Sequence, residues 1–249
     1  MVRKKNLSKN DLDDVSTWED RNYSDQNSKK IQINDIPIKI KCLNEKQKEL
    51  KKLIEEHEII ISIGPAGTGK TYLSLITALH LLKTQPQYRR IVLIKSVQNI
   101  QGEGIGFLPG TLEEKLEPYM HFFTGNLDKI FGDKGIRKAL MADGTISVQP
   151  IAYIRGNTLD NSIIIIDESQ NLNMHGFKTI STRIGKSSKM LFLGDIEQID
   201  LKIKAESCLD KVFKGFQPTD FVGTLEFGPE DCVRNAIIPK VLEILNKIE

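Results

Sequence analysis

The chain has 249 residues, 39% hydrophobic and 27% charged, with a formal net charge of +2 at pH 7 and a pI near 8.3. That composition suits a soluble globular protein, and no apolar run approaches the roughly 20 residues of a membrane-spanning helix. Near-balanced charge neither demands nor excludes a nucleic-acid partner, because a local basic groove can hide in a neutral total.

The start, Met-Val-Arg-Lys-Lys-Asn, leads into polar sequence and not a signal-peptide core, so a cytoplasmic protein without a membrane partner is expected. Cys42, Cys208 and Cys232 are odd in number and far apart, which indicates neither a disulfide framework nor a zinc ribbon. Residues 1–30 mix charges with Asn, Ser and Asp, the pattern of a flexible polar tail. From there Ile31, Ile33, Ile36, Ile38 and Ile40 nearly alternate with polar residues, predicting a half-buried strand or hairpin, with Pro37 marking a sheet edge. Asn44 is placed to cap a helix running to about His57. Gln47 on that helix carries an amide whose adjacent donor and acceptor can read N6 and N7 of adenine, a role that gains weight from the glycine-rich stretch a short distance downstream.

Ile59 to Thr71 runs Ile-Ile-Ile-Ser-Ile-Gly-Pro-Ala-Gly-Thr-Gly-Lys-Thr, an apolar β-branched stretch followed by G-x-x-x-x-G-K-T. With glycine near 7% of residues, chance produces this pattern in about one chain in a hundred of this length. The strand carries a phosphate loop, the glycines let backbone N–H groups wrap a triphosphate, and the helix behind turns its positive end toward it. The expected nucleotide-binding residues are Gly64, Pro65, Ala66, Gly67, Thr68, Gly69, Lys70, Thr71 and Tyr72, with Gln47 at the base. Lys70 is assigned to the β- and γ-phosphates of ATP, and the Thr71 hydroxyl to Mg²⁺. Leu75, Ile76, Leu79 and Leu82 recur on one face of the helix behind the loop.

Arg90 to Ser96 is a second buried strand, and the glycine-rich stretch 101–110 a functional loop. A helix is predicted from Leu112 to Phe123, interrupted at Pro118, then mixed helix and turn over 124–144 and a short strand around Ser147 to Ala152. Ser162-Ile-Ile-Ile-Ile-Asp-Glu-Ser-Gln-Asn171 is the second anchor, since four consecutive isoleucines mean a strand covered on both faces, as in a parallel sheet. Its carboxylates fall where α/β sheets place ligands. Asp167 is assigned to the Mg²⁺ shell and Glu168 to orienting or deprotonating the attacking water. Next come a helix with Met174, Phe177 and Ile180 inward, a buried strand from Lys189 to Asp195, and Gln198, placed to sense the γ-phosphate. A helix and turn within 206–220, a strand over Phe221 to Phe227 and a closing helix over Ile237 to Ile248 complete one domain, 31–249.

These segments together resemble the PhoH family of ATPases, whose core is similar to the first RecA-like domain of superfamily 1 helicases. The matching stretches are GPAGTGKT (64–71), GFLPGTLEEKLEPY (106–119), AYIRGNTL (152–159), IIIIDESQN (163–171), STRIG (181–185), SKMLFLGDIEQIDL (188–201) and DCVRN (231–235). The resemblance implies an α/β, RecA-like P-loop NTPase with a mostly parallel central sheet covered by helices on both faces. It also implies ATP hydrolysis with Mg²⁺, adenine reading by Gln47, and a link to RNA or DNA metabolism. Lys95-Ser96 stands where relatives usually have Arg-Pro, Ser169 where Ala is usual and Asn235 where His is usual. Phosphoryl transfer benefits from an arginine on the developing charge. Arg234 and Arg183 are the candidates, with Arg155 behind them. A neighbouring subunit is the expected donor, hence a homo-oligomer such as a ring. The leading function is an ATPase that remodels or unwinds single-stranded RNA or DNA. The rival is an ATP-gated nucleic-acid-binding or adaptor switch without unwinding, and a small-molecule kinase is disfavoured because Glu168 and Gln198 are suited to using water.

Overall fold

The computed structural model describes residues 31–96, 112–201, 203–216 and 219–234, together with 237 and 241; the side chains of 112–120 and 152 fall outside that set. The tail read over 1–30, the glycine-rich loop 101–110 and most of the closing helix lie outside the described residues. Six strands form one sheet: β1 (Ile59–Ile63), β2 (Arg90–Lys95), β3 (Ile146–Val148), β4 (Ser162–Asp167), β5 (Lys189–Gly194) and β6 (Val222–Glu226). Their order is β3-β2-β4-β5-β1-β6, and every pairing is parallel. Parallel neighbours need crossover connections, which the helices α1 (Glu45–Glu56), α2 (Lys70–Thr84), α3 (Leu112–Phe131), α4 (Lys134–Ala142), α5 (Ile151–Ile154), α6 (Met174–Ser181) and α7 (Leu209–Gly215) help to supply.

The four isoleucines of β4 show how the sheet is sandwiched. Ile163 and Ile165 point into a core shared with Leu50 and Ile54 of α1, Leu75 and Leu79 of α2 and Phe123 and Leu127 of α3. Ile164 and Ile166 point the other way, onto Ile154 of α5, Phe177 and Ile180 of α6 and Phe213 of α7. Each fully buried isoleucine contributes about 1.5–3 kcal/mol through the apolar area it removes from water. Phe177 stacks on Phe192 of β5 with ring centroids 4.3 Å apart, fixing α6 to the sheet.

The structure differs from the sequence expectations in several places. The 31–40 segment joins no ladder: Asp35 N–H donates to the Gln32 carbonyl and Ile36 N–H to that of Ile33, making a 3-10 turn over Ile33–Asp35, while the isoleucines rest on the core. Helix α3 continues through Pro118 for 20 residues, because burial of Phe123 and Leu127 outweighs one missing N–H. Strand β3 ends at Val148, and Pro150, which has no N–H to give a ladder, caps α5 instead. Met174 is 41% exposed, so only Phe177 and Ile180 face inward from α6. Helix α2 is buried nearly all round, beyond the single face expected of it.

Candidate nucleotide site

Strand β1 delivers the chain to Gly64, which adopts φ +137°, and a Cβ there would lie 2.5 Å from the Phe227 carbonyl oxygen. Only glycine lets the chain leave β1 so close to the end of β6. Gly69, at φ +87°, caps α2, and a Cβ there would lie 2.8 Å from Gln47 Nε2. The loop is pinned on three sides: Gly64 N–H donates to Gly194 O (3.2 Å), Phe227 N–H to Ile63 O (2.9 Å) and Val233 N–H to Gly67 O (3.0 Å).

Lys70 folds back over this cradle. Its ammonium donates to Gly64 O (2.6 Å), Pro65 O (2.9 Å) and Thr68 Oγ1 (3.2 Å). Burial lowers its pKa, opposed by the charges of Asp195, Asp167 and Glu168.

Strand β5 lies between β1 and β4, so the loop faces the acid pair across two strand spacings, about 10 Å. The first turn of α2 bridges that gap, with the Thr71 hydroxyl donating to Asp167 Oδ2 at 2.7 Å. Asp167 is buried, and desolvation pushes its pKa up to about 6; the Thr71 hydrogen bond opposes this and the Glu168 charge adds to it. Glu168 turns the chain in the left-handed region at φ 56°, a conformation uncommon outside glycine. Its Oε2 accepts from Gln170 Nε2 at 2.7 Å. Gln170 also donates to Gln198 O (2.9 Å) and accepts from Asp195 N–H (3.1 Å), tying the ends of β4 and β5 into one polar unit.

A cleft of about 750 Å³ opens over these groups, lined by Gln47, Ala66 to Tyr72, Asp167, Glu168, Gln198 and Arg234. Gly64 and Pro65 lie beneath, offering carbonyls to Lys70. The Gln47 amide is half engaged: Nε2 donates to Thr68 O (2.9 Å) and Oε1 accepts from Leu43 N–H (2.8 Å), which leaves one N–H and one lone pair. Arg183 is not brought here. It follows α6, its carbonyl accepts from Leu159 N–H, and Ile184 and Gly185 beside it line a second cleft at the amino ends of the strands. Arg155 is exposed after α5 and is also absent from the lining.

The donor set fits a magnesium nucleotide. A hydroxyl and a carboxylate are the hard oxygen ligands such an ion takes, the glycine cradle leaves no room for side chains, and the Lys70 ammonium has no carboxylate within ion-pair distance among the described residues. Sequence reasoning missed Gln170, although a glutamine two residues beyond the acid pair was a usable signal. It also missed Asp231, whose Oδ2 accepts from Gly228 N–H (2.9 Å) and whose carbonyl accepts from Asn44 Nδ2 (3.2 Å), holding the Pro229–Arg234 strap against α1. Asn126 and Lys129 of α3, also on the cleft wall, carried no local signal.

A parallel sheet with a glycine phosphate loop after one strand, and an acid pair after a strand one removed from it, defines a RecA-like P-loop NTPase fold. Residues 39–246 match the family model described as PhoH-like protein. The chain is 36% identical over 210 residues to a PhoH-like protein of Bacillus subtilis (strain 168), covering 84% of this chain and 64% of that one. It is 38% identical over 212 residues to one of Mycobacterium tuberculosis (85% and 59% covered), and 34% over 200 residues to Protein PhoH of Escherichia coli K12 (80% and 56% covered). The chain belongs to the PhoH-like family, and it spans between 56% and 64% of the length of these relatives. Among solved structures, it overlays the large terminase of a thermophilic bacteriophage with a TM-score of 0.46 at 14% identity, covering 84% of this chain and 51% of that one, an overlap too loose to speak to chemistry. Among the described residues no helix is long and apolar enough to cross a membrane.

Proposed function

We propose that the chain binds ATP with Mg²⁺ and hydrolyses it, and that turnover is coupled to single-stranded RNA or DNA. The observation that carries this reading is the 2.7 Å contact between the Thr71 hydroxyl and the Asp167 carboxylate, in the same cleft as a Glu168 carboxylate steadied by Gln170. Thr71 and Asp167 would hold the ion, which when bound neutralises charge on the β- and γ-oxygens. Lys70 exchanges loop carbonyls for phosphate oxygens. Glu168 accepts the proton of the attacking water, and Gln170 fixes the carboxylate that does so. Gln198 orients toward the terminal phosphate. Gln47 offers its remaining N–H and lone pair to N7 and N6 of adenine. Arg234, on the wall of the cleft, is the cation for the developing charge. Nucleic-acid coupling is the expectation that the family resemblance supports.

Glu168→Gln keeps the hydrogen bonds of the site and removes the base. Hydrolysis is expected to fall about 10²- to 10⁴-fold while a fluorescent ATP analogue still binds; unchanged turnover would remove Glu168 from this role. Assaying the wild type with and without poly(U) and poly(dT) tests the coupling, and indifference to both polymers would end that part of the reading.

A further inference from the structure

The YIRGN motif is not used by the nucleotide cleft, and the fold explains only part of it. Ile154 and Leu159 are core residues, 1% and 4% exposed, whereas Tyr153 is 49% exposed and Arg155, Asn157 and Thr158 face solvent. The Asn157 amide donates to the Tyr153 carbonyl (3.2 Å), fixing the turn from which the ring projects. Helix α5 packs beside α6 on the same side of the sheet, so what both leave exposed faces the same way. The loops behind them are joined as well, with Leu159 N–H donating to Arg183 O at 2.9 Å.

The charge on this face is one-sided. Pro150 to Leu159 and Asn173 to Lys186 hold Arg155, Lys178, Arg183 and Lys186 and not one Asp or Glu. In a chain with 33 acids among 249 residues, stretches of this size would ordinarily hold about three. Asp160, next in the chain, turns its carboxylate to the Lys186 backbone N–H at 2.7 Å. Among the described residues Arg155, Lys178 and Lys186 form no ion pair, and Arg183 donates through Nη2 only to Thr182 Oγ1, leaving a buried Nε without a partner. Cations without ion pairs on the same side of the sheet as an exposed aromatic ring match what a single strand presents, a line of phosphates with unstacked bases beside it. Cations alone would serve an anionic surface, but a ring held outward on a fixed turn adds a stacking platform.

We propose that the α5–α6 face binds single-stranded nucleic acid, Tyr153 stacking on a base and Arg155, Lys178, Arg183 and Lys186 following the phosphates. This rests on the reading of the chain as a nucleic-acid-coupled ATPase. None of these side chains lines the nucleotide cleft, yet α6 begins six residues after Glu168, so the turn that holds the hydrolytic carboxylate is the one from which the face hangs.

The test is fluorescence anisotropy of the full chain with labelled oligo(U) and oligo(dT) of about 20 residues over a series of salt concentrations. Tyr153→Ala is expected to weaken binding about 5- to 100-fold, and Tyr153→Phe, which keeps the ring, to restore it. Replacing Arg155, Lys178 and Lys186 together by Gln is expected to flatten the slope of log affinity against log salt by about 2, at about 0.7 per phosphate contact. All variants should hold a fluorescent ATP analogue like the wild type. If the wild type binds an oligonucleotide and the variants bind it equally well with the same slope, the face is not the site, while nucleic-acid coupling survives. If the wild type binds neither oligonucleotide with or without nucleotide, that underlying reading fails and takes this one with it. Variants that lose binding to phosphatidylserine vesicles but not to oligonucleotides would also overturn the assignment.

Discussion

Among the described residues two lysines are buried, at opposite ends of the sheet, and both rest on backbone carbonyls. Lys70 at the carboxyl end holds Gly64 O and Pro65 O, and Lys189 at the amino end holds Glu55 O and His57 O. Burial lowers the pKa of each. The difference lies in what the carbonyls belong to. Those of Glu55 and His57 close α1, where a cation satisfies orphan acceptors and complements the negative end of the helix. Those of Gly64 and Pro65 belong to a left-handed glycine loop beside three carboxylates. One ammonium caps a helix, and the other is the one proposed to meet the phosphates.

That contrast can be broken in order of expected effect. Lys70→Ala should lower ATP turnover about 10³-fold, equivalent to about 4 kcal/mol of barrier, while the melting temperature without nucleotide stays near that of the wild type. A collapse in thermal stability would instead make Lys70 a cap like Lys189. Asp167→Asn tests the acid that faces Lys70. The native-state pKa of Asp167 is raised to about 6 from 3.8, so its contribution to stability is complete below the unfolded value and lost as pH rises through the folded one. Without magnesium, the Asn variant should therefore be the more stable above about pH 7, by about 3 kcal/mol, and the gap should close below about pH 3 in denaturant titrations. A pH-independent gap would show that charge burial is not its cause. Lys189→Met should leave ATP affinity unchanged and reduce unfolding free energy by about 1–2 kcal/mol, since the α1 carbonyls lose their donor. A more stable variant would show that burying the ammonium outweighs its capping.

The same contrast explains what the sequence revealed. Segments that carry a strong local signal were legible: Asn44 capping Gln47 N–H at 2.8 Å, the glycine loop between β1 and α2, and the unbroken isoleucines of β4, which need cover on both faces whatever supplies it. What could not be read were outcomes fixed by distant chain. The alternating isoleucines of 31–40 carry a strand's pattern, but they lie on the helical core without a pairing edge, and the Ile36 carbonyl is taken by Lys83 Nζ at 2.8 Å. Arg183 and Arg234 were weighed as equal candidates, although Arg183 comes just before β5, at the amino end of a parallel sheet, and Arg234 after β6, at the carboxyl end. Of the two, only Arg234 reaches the cleft.

The strap from Pro229 to Arg234 has a consequence for how the protein is made. Asn44 meets Asp231 across 187 positions, and the Gly67 carbonyl waits for the N–H of Val233. During synthesis the glycine loop therefore leaves the ribosome long before the segment that braces it. A nascent chain can lay down most of its sheet before the strap has emerged, so the glycine loop reaches its braced form only late in synthesis.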